Sequence, residues 1–360
     1  MLANSKQLKE KLESEISKSS QVFIIGHNGP DFDSIGSGIG IYVMAQALGK
    51  EAHIILEDDE SKFESGVKRI IDSKRQTVSF IKKDEFLERV DSDSLLVVTD
   101  VNKKPFIAVG DSLDCFGNII VIDHHSEDET TIPTEDKYIS LEASSACEMV
   151  AKVLSLAKIP YDQDVANYLL AGICLDTKRF KQNTTDKTHD IAEKLIKKGA
   201  DIDFVNNLFL EEFESFCRIS NLIINGTTIK KISDSALTPI QVSFTLNRNQ
   251  PNQIYHREDY AKAADRMMKF HGIDAAFALG FIEPGIVHIS ARSGKRVNVG
   301  KIMSAMGGGG NAQSAGGRIE TVDLFQVEKI LMEYVLLGLS DEEDIIKEPT
   351  VIKRKQIKKI

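Results

Sequence analysis

The sequence predicts an α/β protein with a parallel-sheet domain at the N-terminal end, a smaller α/β domain at the C-terminal end and a helical linker between them. Three observations carry this. The chain has 360 residues, and at about 100–200 residues per domain that length implies two cores. Its first half alternates short apolar runs, rich in β-branched residues, with helical stretches or long loops. Strands that are apolar on both faces belong in a parallel sheet covered on both sides. Near residue 235 a second set of strand-like runs begins.

The elements follow in order. Leu8, Leu12 and Ile16 fall at i, i+4 and i+8, one face of an opening helix. Val22–Ile25 reads as a short buried strand, and the turn-rich stretch Gly26–Asp33 separates it from a helix over Ser34–Leu48. Gly36, Gly38 and Gly40 lower helix propensity there by about 1 kcal/mol each, which is tolerable where the helix passes close to a sheet or ligand. Ala52–Leu56, Leu95–Thr99 and Ile119–Ile122 complete the strands of the first sheet. Met149–Leu156 and Val165–Ile173 are apolar at helical spacing. Asp186–Lys198 begins with acids and ends with lysines, as the helix dipole favours, and Gly199 follows as its C-terminal stop. Residues 203–230 read as one long connecting helix. Beyond it, Gln241–Leu246, Ala275–Gly280 and Val287–Ala291 are strand-like. Helices are expected at Asp259–Lys269 and at Asp323–Leu337, where Asp323 suits an N-cap. The expected boundaries are 1–200, a linker over 201–235, 236–345, and a basic tail over 346–360 whose simplest reading is a solvated disordered segment.

Composition excludes several classes. The chain is 42% hydrophobic and 28% charged, so it is not largely disordered. A formal charge of −9, from 54 acidic and 45 basic residues, argues against a protein that coats long nucleic acid. No 18-residue apolar run exists, so no membrane span is expected. The N-terminus lacks the apolar core of a signal peptide, and a cytoplasmic location is expected. The four cysteines are scattered with no CxxC pair, which excludes zinc-thiolate and thioredoxin readings and leaves free buried thiols.

The polar residues that carry chemistry sit at strand ends. The first strand is followed by Gly26-His27-Asn28-Gly29-Pro30-Asp31-Phe32-Asp33, the third by Asp100, and the fourth by Asp123-His124-His125. In a parallel sheet all carboxyl ends share one edge, where ligands bind. Asp176, at the end of a later apolar helix, joins them if that helix packs across the same edge. Any one of these residues alone is a turn residue, a cap or a core histidine; three groups on three separate strand ends are a constellation. Carboxylates so crowded cannot all stay ionised without a cation. Imidazole with carboxylate suits Mn²⁺, Fe²⁺ or Zn²⁺, and six donors suit two metals about 3.5–4 Å apart sharing a carboxylate, the arrangement that hydrolyses phosphate esters.

The motifs GHNGPDFDSIG, VVTDV, VIDHH, SSACE and LDTKRF resemble, in order and spacing, those of the DHH phosphoesterase superfamily. The run ISARSGKRVNVGKIMSAMGGGGNAQSAGG resembles the glycine-rich signature of its DHH-associated C-terminal domain. The resemblance covers nearly the whole chain and implies a Rossmann-like first domain. Within the superfamily, LDTKxF and the VNVGKIMSAMGGGG run are most similar to the catalytic half of cyclic-di-AMP phosphodiesterases, whose membrane helices and sensory modules would be missing from this chain.

The resemblance implies two Mn²⁺ ions, with Fe²⁺ or Co²⁺ as alternatives. One would be held by His27, Asp31 and Asp100, the other by Asp33, Asp100, His124 and Asp176, with Asp100 bridging. His125 would face the scissile phosphate, and Asp123 would orient His124. In the second domain Arg292, Ser293 and the amides of Gly307, Gly308, Gly309 and Gly310 would grip the nucleotide. The sequence departs from the family at Asn311, where the usual residue is His, and at Ala315-Gly316, usually a double alanine; both put substrate choice in question. The expected activity is hydrolysis of cyclic di-AMP, of the linear dinucleotide pApA, or of both, by a hydroxide activated between two metals. The runner-up is a short-oligoribonucleotide or 3′-phosphoadenosine-phosphate hydrolase, and a nucleotide-binding sensor without turnover is the reading of another class. The expected partner is a small nucleotide or dinucleotide; the resemblance allows a homodimer, common among relatives, while the sequence itself does not give the oligomeric state.

Overall fold

The computed structural model describes residues 2–60, 63–232, 240–247, 255–294, 296–321 and 323–337. They fall into two compact units, Met1–Leu210 and Glu211–Ile360. The basic tail expected at 346–360 lies outside the described residues.

The first unit runs α1 (Leu2–Lys18), β1 (Val22–Ile25), α2 (Phe32–Ala47), β2 (Ala52–Ile55), α3 (Ser65–Lys74), β3 (Phe80–Ile81), α4 (Lys83–Arg89), β4 (Leu95–Thr99), β5 (Asn118–Asp123), β6 (Lys137–Ile139), α5 (Ala146–Ala157), α6 (Gln163–Asp176), α7 (Asp186–Lys197) and α8 (Ile202–Leu208). Its six strands form one sheet in the order β3-β2-β1-β4-β5-β6, every pair parallel. The strands read as continuous apolar runs because both faces are covered. Val22 and Ile24 face a core shared with α1, α2, α5 and α6. Phe23 and Ile25 face a second cluster that includes Phe86 of α4 and Ile107, Val109 and Leu113. Leu8, Leu12 and Ile16 of α1 are all buried, each contributing about 1.5–3 kcal/mol of apolar burial. Strands β3 and β6 are too short to leave a pattern in the sequence. Of the four cysteines, only Cys147 is buried and Cys115 is exposed, which corrects the expectation of buried thiols.

The glycines of α2 have a specific partner. A Cβ on Gly36 would lie 2.6 Å from the backbone oxygen of Tyr168 on α6, and a Cβ on Gly172 of α6 would lie 2.8 Å from the Cα of Asp33. The close approach is therefore helix to helix. Gly38, which faces the sheet, would meet Ile24 only at an ordinary 3.6 Å.

The single long helix expected over 203–230 is not present. α8 ends at Leu208, a second helix, α9 (Phe213–Gly226), begins the other unit, and Thr227–Ile232 is strand β7. The reason is local. A Cβ on Gly226 would fall 2.0 Å from the Leu246 oxygen, so the chain is pressed against the sheet there. The β-branched Thr227, Thr228 and Ile229 then pair antiparallel with the next strand.

The second unit continues with β8 (Ile240–Leu246), α10 (Arg257–Met267), β9 (Ala275–Glu283), β10 (Ile286–Ser293), α11 (Val299–Ala305), β11 (Gly309–Gly310), β12 (Ser314–Glu320) and α12 (Leu324–Leu337). Its sheet order is β11-β12-β10-β9-β8-β7, antiparallel except for the parallel pair β8–β9. In β9, Ala275, Phe277 and Leu279 face a core shared with α11 and α12, while Ala276 and Ala278 face α9 and α10. Asp323 accepts hydrogen bonds from the amides of Phe325 and Gln326 at 3.0 and 3.1 Å, as an N-cap does.

Two substitutions test the packing. Gly36→Ala gains about 1 kcal/mol in helix propensity but drives a methyl into a backbone carbonyl, an overpacking that costs about 1–3 kcal/mol or more. Urea unfolding should therefore show a net loss of stability. Gly309→Ala, where a Cβ meets nothing within 4 Å, should stay within about 0.5 kcal/mol of the parent.

Candidate metal centre

In the first sheet the chain moves from β1 outward to β2 and β3, then returns to the other side of β1 with β4 and β5. The point where strand order reverses leaves a crevice at the carboxyl ends of β1 and β4. His27 and Asp31 follow β1, Asp100 follows β4, and Asp123 ends β5 with His124 and His125 behind it. Asp176, the last residue of α6, reaches the same place.

Each side chain is held by local structure. Asp31 is the N-cap of α2, and its Oδ1 accepts from the amides of Asp33 at 2.9 Å and Ser34 at 3.0 Å. Its Oδ2 lies 3.5 Å from His27 Nε2. His27 Nδ1 is 3.1 Å from the Asn28 carbonyl oxygen, which fixes the ring with Nε2 toward the crevice. Asp33 is fully buried, and its two oxygens each accept at 2.7 Å from the first amides of α5, those of Ala146 and Cys147. Ser145 caps the third, accepting from Glu148 N at 3.0 Å. Asp100 sits at φ +62°, a left-handed conformation in which a residue other than glycine is strained, and its amide donates to the Ile122 oxygen at 3.0 Å.

Asp100 joins two groups. Its Oδ2 is 3.4 Å from His27 Nε2, and its Oδ1 is 3.4 Å from His124 Nε2. His124 Nε2 is also 3.1 Å from Asp176 Oδ2 and 3.8 Å from Asp33 Oδ2. One atom from each of His27, Asp31 and Asp100 lies within 4.8 Å of the others, and the same holds for Asp33, Asp100, His124 and Asp176. Burial raises Asp33 and Asp176 above the ordinary carboxylate range, and the Asp100 charge raises them further. Burial opposes a cation on His124, but neighbouring Asp100 and Asp176 outweigh it and push its pKa up to about 11.

These residues fit a bound cation. Asp100 Oδ1, His124 Nε2 and Asp176 Oδ2 are buried without a hydrogen-bond partner, an arrangement that is costly unless another group compensates. Mixed carboxylate oxygen and imidazole nitrogen donors suit a first-row divalent metal.

Comparison with known proteins bears on the same stretch. Residues 21–173 match the DHH family N-terminal domain, and residues 238–334 match the DHHA1 domain. The chain carries a DHH domain followed by a DHHA1 domain. It is 29% identical over 91% of its length to a cyclic-di-AMP phosphodiesterase of Listeria monocytogenes, covering 49% of that protein. It is 26% identical over 91% of its length to a bifunctional oligoribonuclease and PAP phosphatase of Thermus thermophilus, covering 93% of it. The chain thus spans about half the length of the cyclic-di-AMP phosphodiesterases it matches. The crystal structure of an exopolyphosphatase-related protein from Bacteroides fragilis shares the fold, with a TM-score of 0.75 at 18% identity over 93% of this chain and 98% of that one.

Within the DHH domain, the structure differs from expectation at Asp123. Its Oδ1 accepts from the His125 ring Nδ1 at 2.8 Å and from the backbone amide of His124 at 2.7 Å. Asp123 therefore orients the His125 imidazole and leaves that of His124 alone, because the HH turn brings the second ring back over the carboxylate. The hydrogen bond to Asp123 also raises the pKa of His125. The amides of Ala146 and Cys147 were not foreseen as partners of Asp33; the SSACE segment, a capping sequence, was the available signal.

In the DHHA1 domain most of the expected substrate donors are already engaged. Ser293 donates to the carbonyls of Val297 at 2.7 Å and Ala312 at 3.0 Å. The amides of Gly307 and Gly308 donate to Ser304 and Met303 oxygens, closing α11. Gly308 is pressed on β12, where a Cβ would lie 2.3 Å from the Gly316 oxygen, and Gly310 has φ +136°. Gly308 and Gly310 are thus required by the β11–β12 hairpin. Asn311 Oδ1 accepts from the amides of Gln313 and Ser314 at 2.9 and 2.8 Å, so its acceptor is spent on the turn and only its NH₂ remains. Arg292 Nε donates to Asp265 at 2.9 Å and Nη1 to the Ala291 oxygen at 3.0 Å.

A metal that enters this centre must displace protons. At pH 7 the metal-free His124 holds a proton that an imidazole ligand cannot keep. Calorimetry of Mn²⁺ binding in two buffers of different ionisation enthalpy should show net proton release at pH 7. The release should diminish only as pH approaches about 11, where half of His124 has lost its proton.

Proposed function

We propose that the chain is a metal-dependent phosphodiesterase acting on cyclic di-AMP, on the linear dinucleotide pApA, or on both. The observation that carries this reading is the pair of donor sets sharing Asp100. His27, Asp31 and Asp100 would hold one divalent cation and Asp33, Asp100, His124 and Asp176 the other, with Mn²⁺ the ion proposed and Fe²⁺ or Co²⁺ the alternatives, since mixed oxygen and imidazole donors accept each of them. When bound, such a pair provides a water activated near neutral pH and neutralises phosphoryl charge. His125, half exposed and anchored through Nδ1 to Asp123, turns its Nε2 away from that carboxylate, free to bind the scissile phosphate or to give a proton to the leaving oxygen. In the DHHA1 domain we assign substrate contacts to Arg292, sharing its guanidinium with Asp265, to the exposed Gly309 and Gly310 and to the Asn311 amide.

The relative named for cyclic-di-AMP phosphodiesterase supports this substrate class. A second reading, hydrolysis of short oligoribonucleotides or of 3′-phosphoadenosine phosphate, is favoured by the Thermus relative, which this chain matches over nearly its full length.

The deciding experiment incubates the protein with Mn²⁺ and cyclic di-AMP, pApA, 3′-phosphoadenosine 5′-phosphate or a short RNA. Release from the first two is expected, and none from any of the four overturns the proposal. Asp100→Ala should abolish turnover and remove both bound ions. Asp123→Asn should leave two ions per chain but lower kcat by about 10–100-fold, read by steady-state kinetics and metal analysis together. Asn311→His should change KM more than kcat; a change in kcat alone would place Asn311 in the chemistry.

A further inference from the structure

We infer that Phe106 is a stacking platform for a nucleobase of the substrate, an inference that rests on the phosphodiesterase reading above. The segment after β4 lies along the edge that carries the metal centre. The Phe106 carbonyl accepts from the Asn28 amide at 2.7 Å, and Asn28 adjoins His27. Two residues earlier the Lys104 amide donates to the Thr130 oxygen at 3.0 Å, and the Asn102 side chain donates to the His125 carbonyl at 3.0 Å. Phe106 is thus tied between the loop that carries one donor set and the segment that follows the paired histidines.

Its ring is not part of the packed core. It is 44% exposed, belongs to neither apolar cluster of its unit, and follows Pro105 in a short 3₁₀ turn that limits its backbone freedom. An exposed aromatic ring on a fixed backbone beside a phosphodiester-cleaving centre has the geometry for stacking a base, whose π-face every nucleotide presents. Cations held by His27, Asp31, Asp33, Asp100, His124 and Asp176 would bind the phosphate, and a base one ribose away would fall at the rim. The metal centre itself reads only phosphate, so a rim contact of this kind supplies selection for nucleotides over other phosphate esters.

The chain contains no Trp, which gives a direct test. Phe106→Trp introduces a unique indole, and its emission should fall on titration with AMP or pApA but not with ribose 5-phosphate. Equal response to AMP and ribose phosphate, or no response to either, overturns the assignment; this measurement needs no turnover, so it stands apart from failure of the phosphodiesterase reading. In kinetics, Phe106→Ala should raise KM for pApA about ten-fold, as loss of one stacked base does, with kcat within two-fold, and Phe106→Trp should restore it. Against the pApA analogue in which the stacked adenine is replaced by hydrogen, Phe106→Ala should have no further effect. An equal rise in KM for pApA and for both single-base-deleted analogues would mark the residue as structural and overturn the proposal.

Discussion

The buried carboxylate of Asp33 is the constraint around which the first unit is arranged. A charge with no access to water needs hydrogen bonds to its charged form, and Asp33 finds them in the first two amides of α5, where the helix dipole also favours an anion. That bond fixes the start of α5 against the start of α2. Close contact through Gly36 and Gly172 then brings α6 alongside, so that Asp176 ends within reach of His124. The glycines, the cap at Ser145 and the buried aspartate act as one assembly. Glu148 extends it: its Oε2 accepts from Ser144 Oγ at 2.6 Å and Thr188 Oγ1 at 2.9 Å, joining the start of α7 to the same corner.

Electrostatics explains why the assembly is worth its strain. Asp100 and the carboxylates and imidazoles gathered around it leave buried atoms without partners, a cost that a two-cation centre would offset. Asp123 spends one oxygen, Oδ1, on His125 and the His124 amide, while its Oδ2 is also buried without a partner. What separates the two carboxylates is geometry: Asp100 faces His27 through one oxygen and His124 through the other, whereas Asp123 bonds the His125 ring.

Much of this was readable from residue order. Parallel strands put their carboxyl ends on one edge, so GHNGPDFD, VVTD and VIDHH had to converge, and the strand spans read from β-branched runs agree with those observed to within a residue or two, except that β9 and β10 run on past the spans read for them. What sequence did not disclose depends on geometry that no spacing encodes. The left-handed φ of Asp100 and the choice of Asp123 between two adjacent histidines are set by how a tight turn folds back. In the second unit, the run Gly307–Gly310 looked like a ligand cradle, yet Gly308 and Gly310 are explained by the close approach of β11 to β12, and Gly307, at φ +83°, by the turn that ends α11. Ser293 and Asn311 likewise spend their oxygens on loop closure. The linker failed for a simpler reason: Thr227–Ile232, with four β-branched residues of six, pairs as a strand where the helical reading ran on to residue 230.

The donors of the centre come from positions 27 to 176, gathered by β1, β4, β5 and α6. No short segment holds a complete set, so the site exists only once the sheet is closed and the helices are docked. A cation bound there would recognise the native chain and not the unfolded one, and would stabilise it by mass action. The same atoms that would do the chemistry would then make the thermal stability of the first unit depend on metal supply.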